Sequence, residues 1–387
     1  MDQQSGSLPD PRARGVSAAR GFLPDADPLV SFRDDPVPPG AGDRLDALDA
    51  LADGLPDHVA DGDLRERTRA LDPIGADVCD ALTDRQLVRL RQVSGFLASA
   101  HVHLVDADPV DAIPAGVAVP LYESSNRLDR KPMLAYDTQA LHNWRLCDPD
   151  EGFTVENVDP LLSFTALGDE DWFYAVHVAI EAAAGRALVA GAEAYRGVAD
   201  DDPALLEAAC REIAEALGDC TRVMQRMTEG NDPDVFATAY RPYFDGFDDV
   251  VYEGVDALSG PQSFRGGSGA QSSVMPALDG ALDVEHAATN LIDHLRDMRA
   301  YMPPPHREVV AEFEAADGLR AFVADGDPAV VDAYNDAIDA LHDFRKVHLT
   351  QVVQYIVAAT GDATGTGGTD FMQFLGTMRD ETADTGL

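Results

Sequence analysis

The chain has almost no lysine. Of its 29 basic residues only Lys131 and Lys346 are lysines, against 69 Asp and Glu, for a formal net charge of −40 over 387 residues. So acidic a surface, with arginine kept for specific contacts, reads as a solubility adaptation of the halophilic kind and says little about fold. It excludes nucleic acid and anionic membranes as partners, because both repel it. Cysteine is scarce too: Cys79, Cys147, Cys210 and Cys220 form no CxxC pair and no zinc pattern. Cys210 and Cys220 fall in one predicted helix, about 15 Å apart at 1.5 Å per residue, beyond disulfide reach. All four read as reduced thiols of a cytoplasmic protein. No apolar run approaches the ~20 residues of a membrane span, and no apolar signal segment is seen, so neither anchor nor export is expected. A hydrophobic content of 45% in turn argues against a disordered acidic chain.

What is present is helical periodicity. Residues 1–42, rich in Pro, Gly, Ser and Asp, show little of it and are expected to be an extended or disordered arm. Helical signals begin near Asp43 and strengthen over 84–104, where Leu87, Leu90, Val93 and Leu97 repeat at helical spacing. Residues 105–129, with AGVAVPLYESS, read as loops around one short strand, and 134–144 as a short helix. The acidic, proline-bearing stretch 147–171 is the predicted boundary between a smaller mixed, mostly helical domain (43–155) and a large all-helical one (156–387). Helices are expected over 171–197, 202–229, 233–241, 281–301, 305–315, 328–360 and 370–380. The fold class is all-α, mainly helical, and a monomer is the expectation.

The 328–360 helix carries an anomaly. Val331, Tyr334, Ile338, Leu341, Val352 and Tyr355 draw one apolar stripe along it, and Arg345 and His348 fall on the same stripe. A buried guanidinium and imidazole need partners. The histidine is either a hydrogen-bonded core residue or an axial ligand of the kind that holds haem iron, with Arg345 placed for a carboxylate. No second ligand shares its stripe, which excludes a zinc or two-metal site there. In DWFYAVHVAIEAAAG, Phe173, His177 and Ile180 share a face, either as core or as the wall of a small-molecule pocket. Phe236 and Tyr240 lie one turn apart, and Arg241 precedes Pro242, where a helix ends or kinks. The loops FRGGSGAQSS and TGTGGTD lack the GK[ST] ending of a phosphate loop and follow no predicted strand.

Together these stretches resemble the indoleamine 2,3-dioxygenase family, haem enzymes that open the indole ring of tryptophan. The resemblance rests on VYEGVDALSGPQSFRGGSGAQSSVMPALDG (251–280), LRDMRAYMPPPHR (295–307), FRKVHLTQVVQYI (344–356) and GTGGTDFMQFL (365–375). Weaker matches at 119–144, 154–164 and 232–244 keep the family order. The resemblance implies haem b between a small and a large helical domain, with His348 as proximal iron ligand. It implies that Arg345 contacts a propionate and pairs with Asp279. Phe173 and Phe236 line the distal pocket, Arg241 binds the substrate carboxylate, and Tyr136 and Gln139 contribute to the indole pocket. Ser268, with Gly267 and Gly269, forms the loop above the haem, and Thr366 closes over the amino-acid part of the substrate.

Two departures bear on substrate. His177 stands where vertebrate members carry a serine and resembles the indole-binding histidine of the sister family, tryptophan 2,3-dioxygenase. Gln139 replaces a small cysteine. The implied reaction joins O2 to the C2=C3 bond of L-tryptophan, or of a related indole, giving N-formylkynurenine from tryptophan, with His177 and Ser268 as the catalytic candidates. A dioxygenase of a different indole and a non-catalytic haem-binding protein are the alternatives.

Overall fold

Small residues decide how the centre of this protein packs. The helix Gly168–Ala199 opens with three acids, Asp169, Glu170 and Asp171, which suit the positive end of its dipole. It then buries a run of alanines and glycines that lets its neighbours approach closely. A Cβ on Gly191 would lie 2.8 Å from Ala281 and one on Gly185 2.4 Å from the Ser17 carbonyl, so only glycine fits at either position. The helix is apolar enough to cross a membrane by length and composition, but 78% of its most apolar window is buried within the fold. It is the core helix.

In this computed structural model residues 8–287, 295–360 and 371–387 are described. Against the core helix lies Pro203–Gln225, started by Asp202, whose carboxylate accepts from the Ala204 and Leu205 amides. It turns Leu206, Cys210, Ile213, Leu217 and Cys220 inward, and burial pushes both of these thiols up to about 12. The long helix Pro328–Val352 packs on its other side, continues through a π turn at Val353–Val357 and ends as Ala358–Thr360. Tyr334, Ile338 and Leu341 are buried as the stripe predicts, and so is Arg345. The C-terminal helix Phe371–Ala383 lies beside the long helix.

Earlier in the chain, Asp84–Val102 begins with a capping box between Thr83 and Gln86 and is buried nearly all round. A three-stranded sheet ties this part of the chain to the rest. Ala112–Ile113 runs parallel to Phe247–Tyr252, which pairs antiparallel with Gln262–Phe264. Arg145–Leu146 pairs with Val158–Asp159. The protein is mainly helical, as expected.

Three expectations need correction. The arm is not disordered from Leu8 onward: Val16, Phe22, Leu23, Leu29 and Phe32 are all buried. Gly21, at φ +55°, lies so close to the core helix that a Cβ would meet the Glu181 carbonyl at 2.0 Å. An irregular segment that wedges single side chains into grooves leaves no period to read. The stretch read as loop and strand, AGVAVPLYESS, lies in the helix Ala115–Arg127 despite Pro120, because packing against Asp84–Val102 overrides the local break. Over 281–301 the described residues are non-helical from Leu282 to Ala287 and helical only from Leu295.

Candidate active site

A cavity of about 680 Å³ opens between the long helix, the first turns of the core helix and the glycine-rich loop. On the long-helix side stand Arg345 and His348. The His348 ring makes no hydrogen bond among the described residues and lies 6.4 Å from the Phe344 ring. Burial first, then the neighbouring His177 and Arg345, push its pKa down to about 4, so the imidazole is neutral with a lone pair free. Arg345, one turn earlier, is fixed by Asp279 Oδ1 and Oδ2 at 2.6 and 2.8 Å, by the Met378 carbonyl at 3.2 Å and by the Thr382 hydroxyl. Burial alone would raise the Asp279 carboxyl, but Arg345 and His286 outweigh it and hold it below its ordinary value. Among the described residues no group of three or more His, Cys, Asp or Glu side chains is arranged to hold a bare metal ion.

The facing wall is aromatic. Phe173 packs against Phe236 and Phe244 with ring centroids 5.4 and 5.6 Å apart. His177 Nδ1 lies 2.8 Å from the Phe173 carbonyl. A carbonyl only accepts, so Nδ1 carries the hydrogen and Nε2 is a bare acceptor. Burial lowers the His177 pKa against that carbonyl's opposite pull, which keeps the ring neutral. Arg241 lines the same cavity, at the joint between a π turn, Phe236–Tyr240, and a 3-10 turn, Arg241–Phe244. Its charge counteracts the burial that raises the nearby Asp245 carboxyl.

The loop between these walls needs a glycine at its first position. A Cβ on Gly266 would lie 2.0 Å from the Phe244 carbonyl, and one on Gly267 2.2 Å from Gln139 Oε1. Gly269 has open space around it, and Ser268 caps the turn Gly269–Gln271 by accepting from the Ala270 amide at 3.3 Å. Gly267, Ser268 and Gly269 all line the cavity.

Of the predicted site residues, His348, Arg345, Asp279, Phe173, His177, Phe236, Arg241, Gly267, Ser268 and Gly269 meet at this cavity. Tyr136 and Gln139 do not line it, contrary to expectation. The Tyr136 hydroxyl donates to Glu181 Oε1 at 2.9 Å, which leaves its ring edge-on to His177 at 6.0 Å, one layer back. Gln139 lies behind Gly267. Thr366 lies outside the described residues.

Sequence reasoning missed Glu181, a buried carboxyl raised to about 7 that accepts from Tyr136 and from Ser272 at 2.6 Å. Its place one turn beyond His177 on the same face was the available signal. It also missed three π turns, Asp137–Leu141, Phe236–Tyr240 and Val353–Val357, each of which carries a residue at or just behind the cavity. Such turns recur at functional sites but have no residue signature.

The chain is similar to known proteins along almost its whole length. A family profile described as indoleamine 2,3-dioxygenase matches residues 11–385. Indoleamine 2,3-dioxygenase 1 of Rattus norvegicus is 32% identical over 359 residues, covering 86% of this chain and 87% of its own. A 6-hydroxytryptophan 2,3-dioxygenase of Fusarium equiseti is 28% identical over 402 residues, 96% of each chain. A protein named myoglobin from Haliotis madaka is 26% identical over 373 residues, covering 91% of this chain and 95% of its own.

Proposed function

Because this chain belongs to the indoleamine 2,3-dioxygenase family of haem-dependent oxidoreductases, we propose that it cleaves the indole C2=C3 bond of L-tryptophan with O2, giving N-formylkynurenine. The residues present fit a haem. Among the described residues the cavity offers no multidentate cage, whereas a macrocycle that brings its own nitrogens would take a single protein ligand, and His348 is a neutral imidazole on the wall with no hydrogen bond among those residues. In this reading His348 holds the iron, and Arg345, oriented by Asp279, holds a propionate. When bound, the haem supplies the oxygen chemistry.

The chain's own residues bind and orient the indole. Phe173 and Phe236 offer faces for its ring, and His177 Nε2 accepts from its N–H. Arg241 pairs with the carboxylate of the amino acid. Ser268, carried on a loop whose glycines let backbone approach closely, covers the site with Gly267 and Gly269. Closure of this wall over the substrate keeps the reacting atoms oriented and dry. No group is required to remove a proton, so His177 acts as an acceptor and not as a base. Tyr136 and Gln139 act from behind, by setting where His177 and Gly267 stand.

The observation that carries the reading is the pair of neutral imidazoles across one cavity, His348 with no hydrogen bond among the described residues and His177 with its acceptor nitrogen fixed by the Phe173 carbonyl. The test mixes anaerobic ferrous protein with O2 and L-tryptophan and follows N-formylkynurenine absorbance. Product at the first turnover supports it. Turnover of a ring-hydroxylated tryptophan with none of L-tryptophan moves the substrate, an outcome the Fusarium relative's name makes worth measuring. Reversible O2 binding with no product favours the second reading, an oxygen-binding haem protein, for which the relative named myoglobin is the supporting observation.

A further inference from the structure

Beside Arg345 a run of alternating charges leads along the cavity lining, through Asp279 and His286, to its outer edge at Glu381. Asp279 accepts from Arg345 on one side, and on the other its Oδ2 lies 3.2 Å from His286 Nε2, an ion-pair distance off the line of a good hydrogen bond. The other His286 nitrogen, Nδ1, lies 2.7 Å from Glu381 Oε2, and Glu381 Oε1 accepts from the Ala287 amide at 3.2 Å. Glu381 stands on the C-terminal helix. Its neighbour Thr382 and the Met378 carbonyl, on the same helix, are the groups that hold Arg345. One helix therefore grips both ends of the run.

We propose that His286 is a positioning residue for the cofactor side of the site. Held as a cation between Asp279 and Glu381, it ties the C-terminal helix to the Asp279–Arg345 pair and keeps the group of Arg345, Asp279, His286 and Glu381 from presenting net negative charge to an anionic cofactor. The charges argue for it. With His286 protonated, two cations balance two carboxylates; with it neutral, the group carries one negative charge beside a site meant for a propionate. The surroundings offer little other compensation. Asp283 and Glu285 from its own loop, Asp384 from beyond the C-terminal helix and Arg320 from the helix Leu319–Ala324 line the outer side with His286, three acids to one base. These carboxylates favour the cation, and the His286 pKa lies above its ordinary value, Asp279 and Glu381 outweighing the opposing effect of burial and Arg345. A raised histidine pKa contributes its full stability below the ordinary value and loses it as pH rises through the raised one.

This inference rests on haem as the ligand of His348, and its test reads haem retention. Haem-loaded protein is mixed with excess apomyoglobin, and transfer is followed at the Soret band from about pH 6 to about pH 9, the range a histidine controls. The wild type should lose haem slowly at the acid end and roughly tenfold faster at the alkaline end, the size of one charge-assisted contact. His286→Gln should lose haem fast and equally at every pH, with an unchanged far-UV spectrum. Glu381→Gln should move the wild-type midpoint to lower pH. A wild-type rate that is flat with pH, or a His286→Gln profile that follows the wild type, overturns the proposal. Should His286→Gln fail to fold, an unmoved midpoint in Glu381→Gln overturns it alone. A protein that takes up no haem fails the underlying reading instead, while haem uptake with pH-flat loss fails only this one.

Discussion

The two walls of the cavity are built by different rules. On the long-helix wall Arg345 is fixed by partners on two other helices, Asp279 on Val274–Ala281 and Met378 and Thr382 on the C-terminal helix. Rigid elements and paired charges set its geometry. The facing wall is held by aromatic edges, a π turn under Phe236, a 3-10 turn under Arg241 and a loop whose backbone packs so closely that Gly266 has no room for a side chain. In the function proposed above, the difference separates two jobs. A wall that serves one invariant cofactor tolerates no drift, whereas a wall that reads substrate is assembled from parts that shift with one or two substitutions. Relatives named as an indoleamine 2,3-dioxygenase, a 6-hydroxytryptophan 2,3-dioxygenase and a myoglobin are what such a division would allow.

The comparison breaks first on the rigid wall. His348→Ala should abolish the Soret band on reconstitution with haem, since the other two histidines that line the cavity among the described residues are engaged elsewhere: His177 turns its acceptor nitrogen to the substrate side in this reading, and His286 has its nitrogens against Glu381 and Asp279. A full haem complement in His348→Ala would remove it as ligand. Next in size, Asp279→Ala leaves the Arg345 guanidinium buried without its counter-charge. That should cost about 3–5 kcal/mol of stability, the usual result of removing one member of a buried ion pair. Denaturant titration measures it, and a loss below about 1 kcal/mol, typical of exposed pairs, would show the pair to be solvated.

The two walls were also unequally legible. The long helix announced itself through its period, and Arg345 and His348 stood out as polar breaks in an apolar stripe. The Arg345 partner Asp279, distant in sequence, came from the family resemblance, since no local rule links the two. On the facing wall Phe173 and His177 were readable as one helix face. Arg241 was marked by Pro242. Tyr136 and Gln139 were placed one layer too far forward, because whether a side chain reaches a cavity depends on what intercepts it, here Glu181 and Gly267. The arm from Leu8 to Phe32 was unreadable for a related reason: it is ordered by the grooves it fills and has no periodicity of its own. Irregular segments owe their structure to tertiary partners that a single sequence does not show.

Smaller effects sharpen the substrate wall. Arg241→Ala should raise KM for L-tryptophan far more than it lowers kcat, a loss of roughly 2–4 kcal/mol in kcat/KM if the carboxylate is paired there. An unchanged KM would take Arg241 out of the carboxylate site.

The smallest predicted change is the most specific, because it concerns one hydrogen bond. His177 Nδ1 is committed to the Phe173 carbonyl, so Nε2 can only accept while the ring is neutral, and the lowered pKa keeps it neutral at physiological pH. An indole N–H satisfies that acceptor, and 1-methyltryptophan cannot. The wild type should therefore prefer L-tryptophan over the methylated compound by the steric effect of the methyl group plus the lost bond, about 1 kcal/mol or roughly fivefold in kcat/KM. In His177→Ser the smaller side chain leaves room for the methyl and withdraws from the N–H, so the preference should shrink by at least that factor. Equal discrimination by both proteins would mean that the indole nitrogen lies elsewhere and that the substrate wall orients its ligand through the aromatic faces and Arg241 alone.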